Sequence, residues 1–143
     1  MRAWRAYVIG SEFLRQQLHR ELQDAHGMTI ADYEVLVQLS ERDDRRMRMT
    51  QLAGRVASSK SRLSHQISRL ERAGLVRRLG CPGDARGVIA ELTDQGMDAL
   101  RAAAPTHVAG VRTHLIDLLT EPDQETLATI FERVLKHLDQ LPN

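Results

Sequence analysis

The sequence predicts a mainly α-helical chain with one small β-hairpin. Three observations carry that expectation. Apolar residues recur at helical spacing over most of the chain. Only two short runs, Leu75–Leu79 and Val88–Leu92, are β-like. Between them, Gly80-Cys81-Pro82-Gly83-Asp84-Ala85-Arg86-Gly87 supplies the glycine and proline that a turn requires.

Residues 3–25 place Trp4, Tyr7, Val8, Leu14, Leu18 and Leu22 along one helical face, and His26-Gly27 ends it. Thr29 is a good N-cap for the next helix. Asp32 stands at its third position as in a capping box, and Met28 and Tyr33 are spaced to staple across the cap. That helix carries Tyr33, Leu36, Val37 and Leu39 and ends near Ser40. Residues 41–48 read as a charged connector, in which Arg45, Arg46 and Arg48 suit a solvated charge run. Thr50 caps a short helix with Leu52, Ala53 and Val56, and Ser58-Ser59 breaks it. Ser59 caps a longer helix to about Ala73, with Leu63, Ile67 and Leu70 on one face and Arg62, Ser64, His65, Ser68, Arg69 and Arg72 on the other. Gly74 terminates it. After the hairpin, Thr93 caps a helix reaching about Leu119, and Pro105 and Gly110 predict a kink near 103–106. Thr120 and Asp123 predict a second capping box. The last helix carries Leu127, Ile130, Phe131, Val134, Leu135, Leu138 and Leu141, a stripe wide enough to predict burial against a partner.

At 143 residues the chain is one domain's worth, with the apolar and charged fractions of a soluble protein. The net charge of +1 hides a segregation: residues 42–86 carry 12 Lys/Arg against 4 Asp/Glu, and the rest carries 8 against 15. A basic module in an acidic frame points to a polyanionic partner, DNA above all. Aromatics at 3% argue against single-strand binding by base stacking. No apolar run approaches the roughly 18 residues of a membrane span, and the N-terminus lacks the apolar core and cleavage site of a secretory signal. The single cysteine, Cys81, forms no internal disulfide, fits a reducing cytoplasm and has no resolving partner for redox sensing. No Gly-rich phosphate loop, Gly-x-Ser-x-Gly elbow or HExxH motif occurs, so no enzyme is expected. The six histidines form no His-x3-His pair, and neither metal nor cofactor is expected.

The stretch Ile67-Ser68-Arg69-Leu70-Glu71-Arg72-Ala73-Gly74-Leu75-Val76-Arg77-Arg78 is followed by Gly83-Asp84-Ala85-Arg86 and by Glu91-Leu92-Thr93-Asp94-Gln95-Gly96. In order and spacing this resembles the MarR family of bacterial transcription regulators, and the likeness covers nearly the whole chain. It implies a winged helix-turn-helix at residues 28–96 within a single domain spanning 1–143, residues 1–27 and 97–143 being dimerisation helices. It also implies a homodimer that binds near-palindromic double-stranded DNA, usually as a repressor. In such a fold the second helix enters the major groove, and here Ser59, Lys60, Ser61, Arg62, Ser64, His65, Ser68 and Arg69 are the right types for base edges and phosphates. The resemblance makes Arg86 a groove probe at the wing tip and Asp84 its organiser. Arg77 either pairs with Asp84 or, like Arg55 and Arg78, neighbours a phosphate. Trp4, Tyr7 and Tyr33 suit core packing, which their helical spacing favours, or the wall of a cleft for a small aromatic or phenolic effector. The competing reading is a winged helix used as a protein-interaction module without a specific DNA site.

Overall fold

A computed structural model of the chain describes residues 1–141, so the last two residues of the 97–143 segment lie outside the described residues. The chain divides into two compact units, Met1–His107 and Val108–Asn143. The first unit contains α1 (Arg2–His26), α2 (Ile30–Ser40), β1 (Arg46–Arg48), α3 (Met49–Arg55), α4 (Lys60–Arg72), β2 (Val76–Cys81) and β3 (Asp84–Leu92). Helix α5 (Asp94–His114) carries the chain into the second unit, which continues with a 3-10 turn (Ile116–Leu118) and α6 (Glu121–Asp139).

Local chemistry sets most of these boundaries. Gly27 takes the left-handed conformation (φ 62°) and its N–H returns to the Gln23 carbonyl, which closes α1. The Thr29 hydroxyl accepts the Asp32 N–H at 3.0 Å and opens α2. The Ser59 hydroxyl does the same for α4 through the Arg62 N–H at 3.1 Å. The Schellman motif ends α4: the Leu75 N–H reaches the Leu70 carbonyl and the Gly74 N–H the Glu71 carbonyl, with Gly74 at φ 76°. Thr120 and Asp123 complete a reciprocal capping box at the start of α6.

The core of the first unit lies where α2, α3 and α4 meet the sheet, with α1 packed on α2. Leu22, Val35, Leu36, Leu39, Leu52, Leu63 and Ile67 are fully buried. Truncating one of these leucines to alanine costs about 2–5 kcal/mol. In the three-stranded antiparallel sheet β3 lies between β1 and β2. Met47, Val76, Ala90 and Leu92 are its buried side chains toward the core. In the second unit no large apolar side chain is fully buried among the described residues, whereas Val108, Leu118, Ile130, Val134, Leu135 and Leu138 are exposed. Trp4, Tyr7, Val8, Ile9 and Phe13 are likewise exposed on α1. Among the described residues no helix is long and apolar enough to cross a membrane.

Four local expectations change. The charged connector contains β1, whose Met47 is buried and pairs with Ala90. Three residues are too few for periodicity to register, and the strand exists because β3 lies beside it. Helix α3 then starts directly from β1, with Arg48 rather than Thr50 at the N-cap and no side-chain cap bond. The hairpin turn shrinks to Pro82-Gly83, and both strands run further toward it than expected. Helix α5 passes through Pro105 as one helix but ends at His114, short of Leu119.

Candidate nucleic-acid interface

Helix α3, the turn after it and α4 form a helix-turn-helix unit. Within that turn Ala57 adopts φ 50° and the Ser58 N–H bonds the Ala53 carbonyl at 2.9 Å. Leu63, Gln66, Ile67 and Leu70 bury the inner face of α4. Ser59, Lys60, Ser61, Arg62, Ser64, His65 and Arg69 are exposed, and Ser68 is half-buried. The residue types expected to read DNA therefore share one solvent-facing side.

The wing is shaped by a register break. Gly80 pairs with Val88 and Cys81 with Asp84, so Ala85, Arg86 and Gly87 have no opposite residues and bulge outward. Gly83 at φ 75° makes the turn. The Asp84 carboxylate accepts the Arg86 N–H at 3.0 Å and lies 3.6 Å from the Arg48 guanidinium. A side chain at Gly87 would begin 2.6 Å from Cys81 Cβ and 2.9 Å from the Asp84 carboxylate, so this tip closes only around glycine. The Arg86 side chain stands exposed at the bulge. Between wing and helices lies a cleft of about 300 Å³, walled by Arg48, Lys60, Ser64, Arg78, Asp84 and Arg86 among others.

Ion pairing divides the basic segment in two. Arg45 pairs with Asp94, Arg46 and Arg77 with Glu91, Arg48 with Asp84, Arg69 with Asp32 and Arg78 with Glu71. Arg42, Arg55, Lys60, Arg62, Arg72 and Arg86 have no carboxylate partner among the described residues. The expected pairing of Arg77 with Asp84 is not made. Register places Arg77 directly across from Glu91, while Asp84 lies opposite Cys81 near the other end of β2. The Arg77 guanidinium bonds Glu91 at 2.6 Å, and Arg46, across from Glu91 on the other side, bonds its second oxygen. This buried carboxyl is held below the ordinary glutamate range, by Arg46 foremost and by Arg77, against the opposing effect of burial.

Two further arrangements escaped sequence reasoning. The Asp32 N–H stays on the Thr29 cap, but its carboxylate does not return to it and instead accepts from Gln66 at 3.1 Å and Arg69 at 3.3 Å, which joins α2 to α4 through a buried amide. Arg69 thus divides its capacity between this contact and solvent. Arg78, expected beside a phosphate, is turned onto α4 and bonds Ser64, Ser68 and Glu71. Neither shows in sequence spacing, because both join residues on separate elements.

The three aromatics do not converge. Trp4 and Tyr7 form an exposed pair on α1 with ring centroids 6.0 Å apart, and Tyr33 is buried. Tyr33 stacks on His107 at 4.4 Å, and together they wall a cavity of about 620 Å³ with Arg15, Glu34, Gln38 and Arg55. Arg15 is held bidentately by Glu34 at 2.6 and 3.0 Å. Gln38 Oε1 and His107 Nδ1 are buried without a hydrogen-bond partner. Burial pushes the His107 imidazole below its ordinary value and the Tyr33 phenol above its own. Cys81 is a half-buried free thiol in the wing.

The family model described as MarR family matches residues 28–88, from just before α2 into β3. Among solved structures, the chain is similar to AbsC, a MarR family transcriptional regulator from Streptomyces coelicolor, at 47% identity and TM-score 0.91, covering 97% of this chain and 93% of that one. It is also similar to Sco3205, a MarR family transcriptional regulator from the same organism solved in complex with DNA, at 43% identity and TM-score 0.92, covering 99% and 87%. Among curated proteins, the transcriptional regulator MhqR of Bacillus subtilis is 24% identical over 97% of this chain and 90% of its own length.

Proposed function

The chain belongs to the MarR family, and from that premise we propose that it is a transcriptional regulator that binds a near-palindromic operator in double-stranded DNA as a homodimer, usually to repress. The observation that carries the reading is the sorting of charge. Lys60 and Arg62 at the start of α4 and Arg86 on the wing are left without carboxylate partners, as are Arg42, Arg55 and Arg72, while Arg46, Arg69, Arg77 and Arg78 are paired within the fold. Residues 28–96 form the DNA-binding region, and 1–27 with 97–143 form the dimerisation helices. Lys60, at the N-terminus of α4, supplements backbone N–H groups that attract phosphate. Arg62, His65 and the Ser59, Ser61 and Ser64 hydroxyls face base edges and phosphates in the major groove, while the half-buried Ser68, also expected there, has its hydroxyl engaged by the Ser64 carbonyl and Arg78. Arg69 adds a contact from its shared position beside Asp32. Arg86 enters the adjacent minor groove, and Asp84 shapes the wing that carries it.

The partner of the exposed apolar faces of α1 and α6 is a second copy of the chain. Dimer geometry then sets two reading helices about one turn of DNA apart. The cavity beside Tyr33 and His107 takes a small aromatic or phenolic effector, which changes DNA affinity by favouring one separation of the reading helices over another. The protein works in the cytoplasm.

The test is selection from a random duplex pool by the purified protein, followed by fluorescence anisotropy on the enriched duplex and a scrambled control. We expect a preference of about a thousandfold or more, with affinity falling steeply as salt rises through counterion release. Equal affinity for the two duplexes would favour the protein-interaction reading instead.

A further inference from the structure

We propose that Arg78 is a positioning residue for operator recognition: it fixes the wing against the reading helix, and sequence discrimination depends on it through that helix rather than through a bond of its own to DNA. The inference rests on the DNA-binding reading above. Along β2, Arg78 pairs with Ala90, which is buried toward the core, whereas neighbouring Arg77 pairs with Glu91 on the opposite face. Alternation of the pleat therefore delivers Arg78 to the side of the sheet on which α4 packs.

There its guanidinium spans two turns of the helix. Nη2 donates to the Ser64 carbonyl at 2.7 Å and to the Ser64 hydroxyl at 3.3 Å. Nη1 donates to the Ser68 hydroxyl at 3.1 Å and to Glu71 Oε1 at 3.3 Å. Glu71 Oε2 accepts the backbone N–H of Arg78 at 2.8 Å, so one carboxylate grips both the strand and its side chain. Ser64, Ser68 and Glu71 stand at i, i+4 and i+7, one face of α4. The Arg78 side chain is only 27% exposed. Its donors are committed, unlike those of Lys60 and Arg86 across the same cleft. A flat fork bonded through both terminal nitrogens sets distance and angle together, which a lysine ammonium cannot do. Because the reading helix and the wing must meet adjacent grooves at once, a shift of about half an ångström between them misplaces every contact together.

Electrostatics and positioning predict opposite signs at Glu71. Removing a carboxylate beside DNA tightens binding to any sequence if charge alone matters. If Glu71 serves the bracket, its loss weakens operator binding. The experiment compares wild type with Arg78→Lys, Arg78→Gln and Glu71→Gln, each first shown by circular dichroism to be folded at the assay temperature. Anisotropy is read on the duplex enriched by wild type and on its scrambled control between 50 and 200 mM salt. We expect both Arg78 variants and Glu71→Gln to lose about tenfold in operator affinity, to keep scrambled-duplex affinity within about twofold, and to leave the operator salt slope unchanged. Arg78→Lys keeps the charge and the simplest fold, so it decides the matter if Arg78→Gln unfolds. Equal loss on both duplexes with a salt slope reduced by about one unit would make Arg78 a phosphate contact. Tighter binding of both duplexes by Glu71→Gln, or unchanged discrimination by Arg78→Lys, would likewise overturn the proposal. Failure of wild type itself to distinguish the duplexes overturns the underlying DNA-binding reading.

Discussion

Gly96 lies in the first turn of α5, where an alanine ordinarily stabilises a helix. The structure predicts the reverse. A Cβ added there would sit 2.1 Å from the Leu75 carbonyl oxygen and 2.7 Å from Leu92 Cδ1. A comfortable carbon–oxygen approach is roughly 3.3 Å, so the start of α5 must withdraw from the base of β2 by about an ångström. That withdrawal strains a compact joint. The Thr93 N–H bonds the Leu75 carbonyl at 3.1 Å, the Thr93 hydroxyl donates to the Gly74 carbonyl at 2.6 Å, and the same hydroxyl accepts the Gly96 N–H at 3.0 Å. Overpacking costs about 1–3 kcal/mol and one weakened bond about 1, while alanine's helix preference returns about 1, for a net loss of about 1–3 kcal/mol. Urea unfolding at fixed protein concentration should show the midpoint of Gly96→Ala falling by about 1 M, given a slope of about 2 kcal/mol/M. Gly54→Ala is the matched control. Gly54 is helical with open space around its Cβ direction, and its midpoint should rise. An alanine at 96 that unfolds at or above the wild-type midpoint would refute the reasoning.

Three other outcomes are expected. Arg86→Ala should weaken operator binding about tenfold and lower the salt slope by about one unit while leaving the thermal midpoint unchanged; an unaltered slope would remove Arg86 from the DNA contacts. Glu91 titrates below its ordinary range when folded, so its stabilisation is complete above the unfolded value of about 4.3 and is lost as pH falls through the folded value. Wild type should therefore be more stable than Glu91→Gln at pH 7, with the difference in thermal midpoint shrinking on acidification; a difference that does not shrink between pH 7 and pH 3 would contradict the pairing with Arg46 and Arg77. Phe13→Glu and Leu135→Glu should each weaken self-association roughly a hundredfold or more, since a twofold axis counts each lost side chain twice. Both side chains are exposed in the protomer, so the fold should survive, and sedimentation that still shows dimers at micromolar concentration would place the interface elsewhere.

What the sequence by itself determined was local. The caps at Thr29, Ser59 and Thr120, the glycine stops at Gly27 and Gly74, and the apolar stripe of α4 all act within about one or two helical turns, so spacing along the chain displays them. The concentration of basic residues in 42–86 was equally visible, because charge needs no geometry to be counted. Tertiary structure decided how that charge is used. Strand β1 forms only because β3 offers it hydrogen bonds, and the register of the sheet, not proximity in sequence, hands Arg77 to Glu91 rather than Asp84. Packing of α4 on α2 takes the Asp32 carboxylate from a capping box to Gln66 and Arg69, and the pleat of β2 turns Arg78 inward onto α4. A salt bridge between elements is a choice among many partners of opposite charge, and only the fixed distances of the folded chain make that choice. The arginines that remain unpaired are the outcome of that competition.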